Sequence, residues 1–121
     1  MPEYALADER ADDVSAAFEL LSSARRRGVL YAADRGTETS VEALAERIAT
    51  WLGDPDASTV ALSLRHTHLP KLADAGVVEY DSERGTVELT DGVSDLEPYL
   101  ASISDSDAGR TSGRRASELN A

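Results

Sequence analysis

The stretch HLPKLADAGVVEYDSERGTVELT, residues 68 to 90, changes its hydrophobic period partway through. Up to Gly76, apolar residues recur every three or four positions, as they do on one face of a helix that ends at glycine. After Gly76, apolar and polar residues alternate at 78–80 and again at 86–89, with the charged segment DSERG between them. Alternation with a period of two predicts two β-strands joined as a hairpin. The sequence therefore predicts a helix that is followed directly by a hairpin.

Apolar residues at helical spacing predict four helices before the hairpin and one after it. In chain order, the apolar stripes of these helices lie within residues 14–21, 29–33, 41–52, 58–75 and 93–103. Ser22 or Ser23 is expected to cap the second helix, which should stop at Gly36. Thr39, in a capping box with Glu42, or alternatively Ser40, is expected to cap the third.

The length of 121 residues predicts one domain, at residues 13–103. An acidic arm is expected at residues 1–12 and a disordered tail at 104–121, where apolar residues are almost absent. No apolar stretch is long enough to span a bilayer and the first residues are acidic, so we expect a cytoplasmic protein. The sequence contains no cysteine, which excludes disulfides, thiolate zinc sites and cysteine nucleophiles.

The charge of the chain is strongly acidic and unevenly distributed. Asp and Glu number 23 against 12 Lys and Arg, for a net charge of −11, and only one of the basic residues is lysine. This balance indicates a halophilic protein, because molar salt screens the self-repulsion of such a surface. Residues 57–75 nevertheless carry a net charge of +1, whereas residues 1–56 and 76–100 each carry −6. The predicted fourth helix is therefore the least acidic part of the domain.

The predicted elements are helices, then a two-stranded hairpin, then one further helix. This is the order of elements in an α+β winged helix-turn-helix domain. The segments FELLSSARRRGVLY, LAERIATW and HLPKLADAGVVEYDSERGTVELT carry a resemblance as well. Over about residues 14–90 the chain resembles a haloarchaeal winged helix-turn-helix family related to ArsR-like transcription regulators. The resemblance implies a homodimer that binds double-stranded DNA, with residues 58–75 as the recognition helix.

The outward face of this predicted recognition helix carries no acidic residue, which is unexpected in so acidic a chain. Serine, threonine and histidine on this face can bond base edges or phosphates, and Lys or Arg beside it can anchor phosphates. A further arginine lies at the hairpin tip, between acidic neighbours. The predicted DNA-binding residues are Thr59, Ser63, Arg65, His66, Thr67, Lys71 and Arg84. A winged-helix module that binds another protein through the same face, or through the last helix, and never binds DNA, is the alternative.

Two other kinds of site are not predicted. His66 and His68 are two residues apart, so on a helix they point to different faces and cannot chelate one metal ion. His68 is expected to be half-buried, and Arg25–Arg27 are expected to pair with nearby acids. The sequence lacks GxSxG, P-loop and GxGxxG motifs, so we expect that the protein is not an enzyme and binds no cofactor.

Overall fold

The computed structural model describes residues 13 to 120, with side chains described through residue 108. The predicted acidic arm at residues 1–12 lies outside the described residues. The helices are α1 (13–21), α2 (Ala24–Ala32), α3 (Val41–Leu52), α4 (Ala57–Ser63), a π-helical turn (Leu64–His68), α5 (Leu69–Asp74), a 3-10 turn (Asp91–Asp95) and α6 (Glu97–Asn120). The strands are β1 (Thr39–Ser40), β2 (Val78–Asp81) and β3 (Thr86–Leu89).

The three strands form one antiparallel sheet in the order β1, β3, β2. In the hairpin, Val78 pairs with Leu89 and Tyr80 pairs with Val87, as the alternating pattern predicts. Gly85 closes the turn with a φ of 68°, a conformation that glycine adopts without steric cost. The prediction of an α+β, winged-helix-like arrangement is confirmed. The sheet has a third strand, β1, that the sequence pattern did not predict.

Serine side chains cap helices α2 and α3. The Ser23 side chain accepts a hydrogen bond from the amide of Arg26, and that of Ser40 accepts one from the amide of Ala43. Ser40 is therefore the cap of α3, and the capping box based on Thr39 is wrong, because the helix begins at Val41, directly after Ser40. Helix α2 ends at Ala32, before the predicted stop at Gly36.

The core lies where the helices meet the hairpin. Its largest fully buried side chains include Leu21, Leu44, Ile48, Leu64, Leu69, Leu72 and Val87. Phe18, which belongs to the apolar stripe at residues 14–21 that predicts a buried helix face, is 46% exposed, and its ring meets that of Tyr99 edge-on with centroids 5.5 Å apart. This expectation was wrong because Leu20 and Leu21, its neighbours on α1, occupy the buried side instead.

Helix α6 extends through the segment that was expected to be a disordered tail. Asp107 is only 5% exposed, and its carboxylate binds Arg27 and Tyr31 of α2. The prediction of disorder from residue 104 is therefore wrong through Asp107, because a long-range ion pair holds a segment whose composition alone is polar. No helix among the described residues is long and apolar enough to cross a membrane.

Candidate functional site

The segment from Ala57 to Asp74, here called the central helix, is continuous but changes its winding in the middle. Asp56 caps its start by accepting hydrogen bonds from the amide and the hydroxyl of Thr59, at 3.1 and 2.7 Å. In the π-helical turn, the Leu69 amide donates to the carbonyl of Leu64, five residues back. The wider turn directly precedes Pro70, which has no amide proton and whose ring would crowd a regular α-helical turn. Such π-helical turns are often found at functional sites.

Between residues 58 and 67, the exposed face of the central helix carries no carboxylate; the exposed Asp74 lies at the end of the helix. We call its exposed residues the ridge; they are Ser58, Thr59, Leu62, His66 and Thr67. Leu62 is 56% exposed, the highest value among the large apolar side chains that the structure describes as exposed. The prediction missed Leu62 because it followed the spacing 59, 63, 66, 67, although 59, 62, 66 is an equally regular helical spacing.

Ser63 and Pro70 lie beside the ridge and are half-buried. The Ser63 hydroxyl donates to the carbonyl of Val60 at 3.0 Å and accepts from Arg25 Nη1 at 2.8 Å. The hydroxyl of Ser63 therefore donates its proton and accepts one hydrogen bond within the protein. His66 and Thr67, in contrast, make no side-chain hydrogen bond to another residue of the described region.

Each of the three basic residues predicted to contact DNA is paired with a carboxylate; two of them border the ridge on the central helix, and the third lies at the hairpin tip. Arg65 binds Glu42, Lys71 binds Glu19 with Nζ and Oε1 2.6 Å apart, and Arg84 binds Glu38 at 3.1 Å. The hydrogen bond from Lys71 lowers the pKa of the Glu19 carboxyl. All three pairs are partly open to solvent. The sequence indicated these cations but not their partners, which come from distant elements.

The cluster Arg25–Arg27 has structural roles, as expected. Arg25 lies 3.5 Å from Asp54, and Arg27 pairs with Asp107 at 2.8 Å. Arg26 is 6% exposed and donates to the carbonyls of Leu20 and Glu19. These contacts fasten α2 to its surroundings and leave none of the three guanidinium groups on the surface of the ridge.

A protein-family model matches residues 18–88, which is more than half of the chain. The chain belongs to the family DUF7344. The family's description is a domain of unknown function. No curated protein matches the chain, and neither does any solved structure. The matched residues include α2, α3, the central helix and most of the hairpin, so the ridge lies within the DUF7344 domain.

The two histidines of this DUF7344 domain lie in different environments. His66 is exposed on the ridge, whereas His68 is half-buried, with Nδ1 3.1 Å from Nη1 of Arg26. Burial, followed by the charges of Arg26, Arg25 and Lys71, lowers the pKa of His68. Across the described residues, no group of three histidines or carboxylates is arranged to hold a metal ion.

The hairpin tip of the DUF7344 domain is acidic. Asp81 Oδ1 accepts hydrogen bonds from the amides of Glu83 and Arg84, each at 3.1 Å, and so fixes the turn. Glu79 and Glu83 are exposed beside it. Since Arg84 is the only basic residue of the hairpin, any contact between the hairpin and an anion depends on that side chain.

Proposed function

We propose that this DUF7344 protein is a transcription regulator that binds double-stranded DNA through the ridge of the central helix, in the manner of ArsR-like winged-helix proteins. The observation that carries the proposal is the ridge itself, an exposed helical face that carries no carboxylate between residues 58 and 67 in a chain of net charge −11. The major groove is wide enough to admit one α-helix, and a helix followed by a hairpin is the winged-helix arrangement for such docking.

The side chains of the ridge are of types that contact DNA. The hydroxyl of Thr67 and the imidazole of His66 can donate or accept hydrogen bonds at base edges and phosphates, and the hydroxyl of Thr59, which donates to Asp56, can accept one. The Leu62 side chain offers apolar contact to the methyl group of thymine. The ridge thus combines polar and apolar base contacts on one face.

The two cations beside the ridge and the arginine of the hairpin tip supply phosphate contacts by exchanging partners. An exposed ion pair contributes only about 0 to 1 kcal/mol, so Arg65, Lys71 and Arg84 lose little when a phosphate replaces the carboxylate that each one binds. High salt screens the exposed pairs further. Exposed pairs of this kind leave the cations available to a phosphate.

A cytoplasmic homodimer is part of the proposal. Two copies related by a two-fold axis present two central helices, which fit half-sites about 34 Å apart. Doubling the ridge and its cations doubles the contacts with DNA, which matters for a chain whose overall charge repels phosphates.

The test is selection from a pool of randomised DNA duplexes by the purified protein in about 2 M KCl. A variant with Leu62→Ala, His66→Ala and Thr67→Ala removes the ridge but keeps the buried face of the helix. A matched control, Thr50→Ala with Ser102→Ala, changes exposed polar residues of α3 and α6 instead. We expect the protein and the control to enrich a two-fold symmetric sequence that the ridge variant does not enrich. Absence of enrichment by the folded protein contradicts the proposal.

The exposure of Leu62 favours a second function, binding of another protein through the ridge. A single exposed leucine is common on protein surfaces, but at the centre of the ridge it offers an apolar contact to a partner protein. Salt distinguishes the two functions, because DNA binding weakens as salt increases, whereas an apolar protein interface tightens or stays level. Co-purification of a protein whose binding is lost in Leu62→Ala and strengthened by salt would support this second function.

A further inference from the structure

A cavity of about 300 Å³ lies between α2, α3 and α6, lined by none of the ridge residues. Its volume is at the lower end of the range for small-molecule sites. The walls are mostly apolar and aromatic, with a few polar groups, as is usual for such sites. The lining residues that carry the argument are Gly28, Tyr31, Arg47, Ile48, Trp51 and Asp107.

The apolar walls of the cavity are held in place by packing. The rings of Tyr31 and Trp51 meet edge to face, with centroids 5.4 Å apart and an interplanar angle of 83°. Gly28 lets α2 approach α3 closely, because a Cβ at this position would lie 2.9 Å from Cγ1 of Ile48. These contacts hold the rings of Tyr31 and Trp51 and the side chain of Ile48 in place around the cavity.

The acidic group in the wall is compensated within the protein. Asp107 accepts hydrogen bonds from Arg27 Nε at 2.8 Å and Nη2 at 3.2 Å, and from the hydroxyl of Tyr31 at 2.6 Å. Burial, and next the hydrogen bond to Asp107, raise the pKa of Tyr31, so this phenol stays protonated and continues to donate. The carboxylate of Asp107 is therefore engaged in holding α6 to α2.

Arg47 differs from the other exposed cations of the described region. Six other Lys or Arg side chains of residues 13–108 each pair with a carboxylate. Arg47 donates to the carbonyl of Ala32 at 3.2 Å, and no carboxylate of residues 13–108 forms an ion pair with it. In a chain with nearly twice as many acids as bases, a guanidinium without such a partner is unexpected. It lies in the wall of the apolar cavity.

We infer that the cavity binds a small organic acid, with its apolar body between Ile48 and the rings of Tyr31 and Trp51 and its carboxylate on Arg47. A guanidinium binds a carboxylate through two parallel hydrogen bonds, which gives both charge and direction to the contact. The ligand would join α3, the helix before the central helix, to α6. This inference goes beyond DNA binding and does not depend on it.

Trp51 is the only tryptophan in the chain, so its fluorescence reports directly on the cavity. The probes are 4-phenylbutyrate and its neutral counterpart 4-phenylbutanol, which have similar shape and differ in charge. The variants are Arg47→Gln and, as a matched control, Arg35→Gln, which removes an exposed arginine paired with Glu97. Titrations use the full chain in about 2 M KCl, in which circular dichroism first verifies the fold.

We expect a saturable change of Trp51 fluorescence with the acid and binding of the alcohol at least about fivefold weaker, because a charge-assisted hydrogen bond is lost. Arg47→Gln should reduce the affinity for the acid to that for the alcohol, and Arg35→Gln should leave it unchanged. The inference is overturned by any of three results: no saturable change with acid up to about 10 mM, equal affinity for acid and alcohol, or an affinity for the acid that Arg47→Gln does not change. DNA binding is measured separately, so its failure leaves this result intact.

Discussion

Nη1 of Arg26 lies 3.1 Å from Nδ1 of His68, in a hydrogen bond that only a neutral imidazole can accept. A guanidinium can only donate, so Nδ1 of His68 must accept and the ring proton must lie on Nε2. Arg26 also donates to the carbonyls of Leu20 and Glu19, at the end of α1. One buried arginine therefore joins the start of α2, the end of α1 and the π-helical turn of the central helix.

This contact predicts that the protein loses stability as the pH falls below about 6.5, the ordinary pKa of histidine. Burial and the nearby charges of Arg26, Arg25 and Lys71 lower the pKa of His68 in the folded state. The unfolded chain therefore takes up the proton first, and the free energy of unfolding decreases as the pH falls from 6.5 toward the lower folded pKa. Above pH 6.5 this contribution to stability is fully present.

Denaturant unfolding between pH 5 and 8, at constant salt, measures this dependence. His68→Asn keeps an acceptor for Arg26 but cannot titrate, so its unfolding free energy should change less with pH than that of the unmodified protein. His66→Asn, at the exposed histidine of the ridge, is the matched control and leaves the contact between Arg26 and His68 in place. Identical pH profiles for His68→Asn and the unmodified protein would contradict the prediction.

Asp107→Ala should destabilise the docking of α6 by about 3 kcal/mol, because it leaves the guanidinium of Arg27 without its carboxylate and the hydroxyl of Tyr31 without its acceptor. The side chains of Arg27 and Asp107 are 13% and 7% exposed, so solvent compensates little. Hydrogen exchange of amides in residues 100–108 should quicken, and the fluorescence of Trp51 should change because Trp51 packs on Tyr31. Arg27→Met combined with Asp107→Leu should recover part of the loss. Unchanged amide hydrogen exchange in Asp107→Ala would contradict the prediction that Asp107 holds α6 to α2.

Gly28→Ala should destabilise the protein by about 1 to 3 kcal/mol, although alanine is the better helix former. The added Cβ would lie 2.9 Å from Cγ1 of Ile48, in the close packing between α2 and α3. Ile48→Ala removes the clashing atoms, so Gly28→Ala should be less harmful in that background. A double-mutant cycle in denaturant measures the coupling, and strict additivity of the two changes would contradict the steric explanation.

Local patterns predicted the elements whose signals lie within a few residues of one another. The hairpin follows from alternation at 78–80 and 86–89, and Gly53 ends α3 with a φ of 71° as a C-terminal glycine should. Strand β1 has only two residues and exists because Thr39 and Ser40 pair with β3, far along the chain. The order of α6 depends likewise on the contact of Asp107 with Arg27, which no local pattern contains.

The sequence predicted the exposed face of the candidate site but not the contacts that its side chains make with other elements. Helical spacing places His66 and Thr67 on the exposed face, where the structure has them. It cannot show that Arg25 engages Ser63, or that Glu42 and Glu19 pair with the cations that border the ridge, because these partners come from other elements. Leu62 was missed because the predicted face followed the spacing 59, 63, 66, 67, whereas Val60, Ala61 and Leu64 fill the core and leave Leu62 exposed.

If the ridge binds DNA, Arg65→Gln and Lys71→Gln should each weaken binding about equally for all sequences. Each loss of a phosphate contact should reduce the slope of log K against log salt by about 1. Glu42→Gln and Glu19→Gln are matched changes on the other side of each ion pair; they free the cations and should strengthen binding. Anisotropy titrations of a labelled duplex at several KCl concentrations give the slopes. Slopes that are equal in all four variants and the unmodified protein would mean that these cations do not reach phosphates.

The exposure of Leu62 predicts that the bound sequence contains thymine at a fixed position and that its methyl group contributes to affinity. Replacing thymine by uracil in the selected duplex removes only this methyl group, and the loss of one buried methyl corresponds to about 0.8 kcal/mol, or roughly fourfold in affinity. Leu62→Ala should bind the thymine duplex more weakly and lose most of the difference in affinity between the thymine and uracil duplexes. Thr67→Ala should bind both duplexes more weakly but keep that difference. Equal affinity of the unmodified protein for the thymine and uracil duplexes would exclude contact with a thymine methyl while leaving DNA binding itself established.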